Sequence, residues 1–165
     1  MTPAIDLIKK KKIHHQVHEY QHDSGHNSAA STGGLSYGLE AASKMGVSAE
    51  QVFKTLVVSL DSKELVVAVI PASAKLNMKL VAKAAKAKKA MMADKQDVER
   101  STGYVLGGVS PLGQKKRLRT FIDSSAQNYA TIYISAGKRG LEIELTSQDL
   151  ADLLSAHVTK LAVQS

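Results

Sequence analysis

Residues 101–122 read STGYVLGGVSPLGQKKRLRTFI, a glycine-rich loop followed at once by Lys115, Lys116, Arg117 and Arg119. Gly107 and Gly108 lack a Cβ, and Pro111 fixes its own φ while biasing Ser110 toward extended geometry. The segment 107–113 is therefore expected to form a shaped rim with reachable N–H groups. Such a rim suits a carbonyl or a phosphate, and the cations beside it suit a polyanion. The same pattern also serves as a plain basic connection between strands, because Gly and Pro mark any tight turn.

Lys54 is the second residue with chemical potential. In the run 53–58, period two places Phe53, Thr55 and Val57 on one face and leaves Lys54 with Leu56 and Val58 on the other. A lysine at the start of an apolar strand either snorkels from the sheet edge or points into a pocket as a fixed cation beside a carbonyl or phosphate. Ser135, at the end of TIYIS and before AGKRG, either lines a pocket or satisfies a turn.

Other chemistries are poorly supported. The chain has no cysteine, so disulfides, a cysteine nucleophile and thiolate zinc sites are excluded. Five of the six histidines fall between His14 and His26. In an extended segment His14 and His18 lie about 13 Å apart at ~3.3 Å per residue, too far to share one metal. No metal site and no cofactor are expected, beyond adventitious binding at His22 and His26. A Ser-His-Asp triad lacks a nucleophile elbow, and neither GxGxxG nor Walker spacing is present.

These residues need a scaffold, and 165 residues with 44% hydrophobic and 22% charged content fit one globular domain spanning 1–165. No apolar run approaches the ~20 residues of a membrane helix, and the N-terminus lacks the apolar core of a secretory signal. A cytoplasmic protein without membrane association is expected. The net charge of +7 is unevenly placed, since residues 75–119 carry twelve Lys or Arg against three acids. That field attracts a phosphate polymer, although solvated lysines on a helix face produce the same pattern.

Thr2 before Pro3 predicts an N-capped first helix, and the alternation over 13–20 predicts a strand. Residues 24–37 read as a loop leading to a helix through Leu39, Ala42 and Met45. A hairpin over 51–70 turns at Asp61-Ser62-Lys63. Helices follow over 77–89 and, capped by Asp94, to Arg100. Strands are expected at 104–106, 118–123, 131–135 and 141–145, with a closing helix over 146–156. The fold class is α+β, a mixed, largely antiparallel curled sheet surrounded by helices.

FKTL at 53–56, STGYVLGGVSPLGQKKR at 101–117 and TIYISAGKRGLEIEL at 131–145 resemble the YbaK family of aminoacyl-tRNA deacylases, free-standing relatives of the editing domain inserted in bacterial prolyl-tRNA synthetases. The opening MTPAIDLIKKKKI, HEYQHD and the DLADLL helix extend the similarity over essentially the whole chain. The resemblance implies a trans-editing hydrolase that clears cysteine from mischarged tRNA(Pro), with prolyl-tRNA synthetase as a partner. It makes Lys54, Gly107 and Gly108 catalytic, and assigns the pocket wall to Tyr20, Thr55, Pro111, Gly113 and Ser135. Glu142, where the family is expected to carry a shorter Asp, joins that wall. Lys115, Lys116 and Arg117 would contact tRNA, and Gly108→Val is expected to damage activity more than stability.

An aminoacyl ester is already activated, so its hydrolysis needs an oriented nucleophile and a stabilised oxyanion more than a strong base. The family resemblance suggests that the thiol of a cysteinyl substrate attacks its own ester carbonyl. Two alternatives stay open: a non-catalytic module that binds tRNA or a synthetase, and a deacylase for another small amino acid such as alanine.

Overall fold

The computed structural model describes residues 1–22 and 35–164. Thr2 opens helix α1 (Pro3–Lys10) as expected, its Oγ1 accepting from the Ile5 N–H at 3.2 Å, and Lys9 and Lys10 close it at the negative end of the dipole. There follow β1 (Gln16–Glu19), α2 (Leu35–Met45), the hairpin β2 (Val52–Leu60) and β3 (Glu64–Pro71), and β4 (Ala74–Leu76). Next come α3 (Met78–Ala85), β5 (Ala90–Met92), α4 (Lys95–Thr102), β6 (Arg119–Asp123) and a 3-10 turn, Ser124–Asn128. The chain continues through β7 (Ile132–Lys138), β8 (Leu141–Leu145), α5 (Ser147–Leu154), β9 (His157–Thr159) and β10 (Ala162–Gln164).

The fold is α+β. Its main sheet runs β1-β8-β7-β2-β3-β6-β9, with β5 added against the end of β2, while β10 and β4 form a separate pair. Pairing is mixed: β2–β3, β7–β8, β1–β8 and β2–β5 are antiparallel, whereas β2–β7, β3–β6 and β6–β9 are parallel. The β-branched residues of the hairpin bury both faces. Phe53, Val57, Val67, Val69 and Ile134 pack under α1, α4 and α5 in one cluster. On the opposite face Val58, Ala68 and Ile70 pack under α3, and Val52 and Tyr133 under α2.

Several sequence expectations change. Residues 104–106 form no strand: Tyr104 starts a loop whose two ends are tied together, its hydroxyl donating to the Leu112 carbonyl at 2.6 Å and the Lys115 N–H to Thr102 O at 2.9 Å. Leu35 to Tyr37 already belong to α2 rather than to the preceding loop, and the loop expectation for 24–34 falls outside the described residues. The expected 77–89 helix stops at Ala85, because Lys86 adopts φ 60° and turns the chain toward β5. The 146–156 helix does not close the fold. Ser155 reverses the chain with φ 50°, and β9 joins the sheet beside β6.

Candidate active site

Strands β2 and β7 pair in parallel only at Val52–Tyr133 and Phe53–Ile134. Beyond those residues they part, and a cleft of about 90 Å³ opens between Lys54, Thr55 and Leu56 on β2 and Ser135 on β7. Tyr20, Tyr37 and Gly38 line it from β1's end and α2, Leu106, Gly107 and Val109 from the glycine loop, and Glu142 from β8. Register explains the grouping. Ser135 is the cross-strand partner of Glu142, and Val52 that of Tyr133, so alternation puts Lys54, Ser135 and Glu142 on one face of the sheet.

Lys54 does not snorkel into solvent. Its Nζ donates to the Ala74 carbonyl, at the start of β4, at 2.8 Å and to the Ala72 carbonyl, on the turn that follows β3, at 3.5 Å. Carbonyls hold an ammonium in place without neutralising it, and burial alone pushes the amine down to about 8. Glu142, 6% exposed, shows the mirror effect: burial pushes its carboxyl up to about 8. At neutral pH the cleft therefore holds a cation and a protonated acid. The Tyr20 phenol is pushed up to about 12, first by burial and then by Glu142 and Glu40.

Thr55 contributes an orphan. Its Oγ1 is buried without a hydrogen-bond partner among the described residues, a condition that buried hydroxyls rarely tolerate unless something else occupies the site. Gly107 contributes a close approach. At φ +96° any other residue is strained, and a Cβ there would stand 3.1 Å from the Tyr37 ring. The loop glycine thus lets Tyr37 close one end of the cleft. Ser135 Oγ accepts from the Gly137 N–H at 3.1 Å, and among the described residues no histidine lines the cleft to activate it as a nucleophile.

The structure separates Gly108, Pro111 and Gly113 from this group. None of them lines the cleft. The Gly108 N–H is committed to the Val105 carbonyl at 3.0 Å, and a Cβ at Gly108 would meet the Lys138 backbone at 2.9 Å. Gly113, with φ +69°, packs on the start of α1, where a Cβ would stand 2.6 Å from the Pro3 carbonyl carbon. Pro111 is buried. These three shape the loop, and Gly107 meets the cleft. Lys115, Lys116 and Arg117 are exposed, their backbone N–H groups at 115 and 116 bonded to the end of α4 and Arg117 Nη2 3.2 Å from Ser155 Oγ.

Sequence reading missed Tyr37, Gly38, Leu56, Leu106 and Val109. The signal available was the Tyr-Gly pair preceding LEAA: Gly38 lets α2 sit on Ala72, where a Cβ would stand 2.7 Å from the alanine methyl, and so brings Tyr37 to the cleft. His18 is likewise accounted for, its Nε2 2.8 Å from Glu144 Oε1 at the sheet edge.

Residues 37–153, which carry nearly all of this cleft, match the aminoacyl-tRNA editing domain family. The chain belongs to that family. Among aminoacyl-tRNA editing proteins it is 34% identical to EbsC of Enterococcus faecalis, named as a candidate Cys-tRNA(Pro)/Cys-tRNA(Cys) deacylase, over 99% of this chain and 94% of that one. It is 28% identical to the uncharacterised YwhH of Bacillus subtilis over 68% of this chain and 71% of that protein. A solved structure described as a candidate trans-editing enzyme for prolyl-tRNA synthetase shares the fold with TM-score 0.80 and 22% identity, covering 98% of this chain and 95% of that one. The hypothetical protein APE2540 superposes with TM-score 0.84 and 22% identity, covering 98% and 99%. The editing family implies an aminoacyl-tRNA substrate. Among the described residues no helix is long and apolar enough to cross a membrane.

Proposed function

We propose that this protein hydrolyses the ester of mischarged Cys-tRNA(Pro), with the substrate's own thiol as nucleophile and the cleft as its positioning device. The observation that carries the reading is the composition of the cleft. Among the described residues it offers a held cation, an unpartnered buried hydroxyl and a close-approach glycine with no histidine in its lining, and the chain has no cysteine to serve as a protein nucleophile. A space of about 90 Å³ admits a small side chain.

In this reading the cysteinyl thiolate attacks its ester carbonyl carbon. A C–S bond forms, and the C–O bond to the ribose breaks. The ribose oxygen leaves with a proton, and water opens the resulting thiolactone to free cysteine. Lys54 Nζ faces the developing oxyanion, with the Gly107 N–H, which meets no acceptor among the described residues, as a second donor. Thr55 Oγ1 gains its missing partner from the aminoacyl group. Protonated Glu142 and Ser135 bound the side-chain end, where one methylene is worth about 1–3 kcal/mol of selectivity. Pro111, Gly113 and Gly108 hold the loop that presents Gly107. Lys115, Lys116 and Arg117 add phosphate contacts, and prolyl-tRNA synthetase supplies the choice of tRNA(Pro).

Deacylation of Cys-, Ala- and Pro-tRNA(Pro) by wild type and Lys54→Ala tests this. Cysteinyl ester should be lost rapidly with wild type, alanyl ester far more slowly because alanine has no thiol, and the folded Lys54→Ala variant should lose most activity. Equal rates on cysteinyl and alanyl esters would overturn substrate-assisted chemistry. Inactivity on every ester, with tRNA still bound, would favour the non-catalytic module.

A further inference from the structure

Residues 75–89 contain six lysines, Lys75, Lys79, Lys83, Lys86, Lys88 and Lys89, and no acid. All six are exposed. None forms an ion pair with a described residue, whereas Arg100, Arg119 and Arg139 all do. Lys79 and Lys83 stand at i,i+4 on α3, a like-charge spacing that destabilises a helix unless something compensates it.

Their support is rigid. Asn77 caps α3, its Oδ1 accepting from the Leu80 N–H at 3.0 Å, and Val81, Ala82 and Ala85 fasten the helix to the sheet. At the far end the Asp61 carboxylate, on the β2–β3 turn, accepts from the Lys89 N–H at 2.8 Å and the Lys88 N–H at 3.2 Å. Asp61 is the acid that faces this segment, and Glu64 nearby is already paired to Arg119 through two 3.0 Å bonds.

Position gives the charges their direction. Helix α3 packs over Val58, Ala68 and Ile70, the sheet face that Lys54 shares. Lys75 adjoins Ala74, whose carbonyl holds Lys54. The other end runs into β5, which pairs with β2 at Val58, Ser59 and Leu60. Leu60 lies six residue steps along β2 from Lys54, about 20 Å at ~3.3 Å per residue. The strip therefore starts beside the cleft and extends well beyond the reach of an aminoacyl-adenosine. The cluster at 115–117, by contrast, is anchored to α4 and Ser155, elements on the opposite face.

Resting on the function proposed above, we infer that the lysine strip 75–89 is the docking surface for the sugar-phosphate backbone of the tRNA arm whose 3′ ester enters the cleft. It recognises charge and spacing, so it discriminates little between tRNA species.

The test is the triple variant Lys79→Gln, Lys83→Gln, Lys86→Gln beside wild type and the triple Lys115→Gln, Lys116→Gln, Arg117→Gln. Three readouts are needed: KM and kcat on Cys-tRNA, turnover of cysteinyl-adenosine, and affinity for uncharged tRNA across a salt titration. The strip variant should raise KM at least tenfold with kcat within twofold of wild type. It should turn over cysteinyl-adenosine normally, and its log-affinity against log-salt slope should be shallower by about 2–3, as expected for losing three phosphate contacts. An unchanged slope and KM would overturn the proposal, as would an equal loss on cysteinyl-adenosine, or a slope carried by the 115–117 variant alone. Should wild type deacylate nothing, the function proposed above fails, and the uncharged-tRNA titration still decides the strip.

Discussion

Arg139 grips Glu40 with both arms of its guanidinium, Nε to Oε1 and Nη2 to Oε2 at 2.8 Å each. The same guanidinium lies 5.1 Å from the centre of the Tyr37 ring. Glu40 and Tyr37 are on α2, and Arg139 is on the turn between β7 and β8, so this pair ties the helix to the two strands that carry Ser135 and Glu142. The side chains retain 21% and 12% exposure, which makes the fork worth more than a surface ion pair.

Arg139→Gln should therefore act on selectivity as well as stability. Breaking a largely buried pair costs about 3 kcal/mol, visible as a lowered melting temperature. With Tyr37 no longer held over Gly107, the cleft should admit larger side chains, so the ratio of kcat/KM for cysteinyl over prolyl ester falls. A lowered melting temperature with an unchanged ratio would mean that Tyr37 is held by other contacts.

The pH dependence of turnover should be bell-shaped. The rising limb reports the substrate thiol, with an ordinary pKa of about 8.5. The falling limb comes from Lys54, pushed down to about 8, and Glu142, pushed up to about 8: above that pH the cation is lost and an anion appears. Both changes oppose an oxyanion. Lys54→Arg together with Glu142→Gln should remove the falling limb, because guanidinium keeps its charge and the amide does not ionise, whereas Lys54→Arg alone leaves the part due to Glu142. A rate that climbs steadily to pH 10 would show that neither group acts on the charge of the transition state.

Stability should also follow these two groups, in opposite senses and in successive windows. The Glu142 carboxyl is raised from 4.5 to about 8, so the native state binds the extra proton and the associated stability is lost as pH rises from 4.5 through 8. The Lys54 amine is lowered from 10.5 to about 8, so stability is regained as pH rises from 8 to 10.5. Melting temperatures of Glu142→Gln across pH 5–8 should be flatter than those of wild type. Parallel curves would place the titrating group elsewhere.

The two neighbouring glycines should separate by phenotype. Gly108→Val puts branched carbons into the Lys138 backbone, where a Cβ alone already stands at 2.9 Å, and should destabilise the fold before it affects chemistry. This reverses the expectation from sequence, which treated Gly108 as part of the reacting surface. Gly107→Ala faces the Tyr37 ring and a φ of +96°, so it should lower kcat/KM more than melting temperature. Thermal melts and ester kinetics on both variants check the contrast.

Sequence alone determined the local geometry and the family: the Thr2 and Asp94 caps, the hairpin at Asp61, and the motifs around Lys54 and Gly107. These depend on periods of two and 3.6 residues and on side chains that reach their own backbone, all readable within a few positions. It also placed Tyr20, Thr55, Ser135 and Glu142 in one cleft with Lys54, through resemblance rather than spacing. Only the tertiary structure decided where β2 and β7 part, that Lys54 is held by the carbonyls of Ala72 and Ala74, and that Tyr37 rather than Gly108 closes the cleft. Those facts depend on contacts between residues tens of positions apart, such as Arg139 with Glu40, and neither periodicity nor turn chemistry encodes which partner a buried charge will find. The short strands β4, β9 and β10 were illegible for the same reason, since three residues are too few to show a period and their pairing partners lie far along the chain.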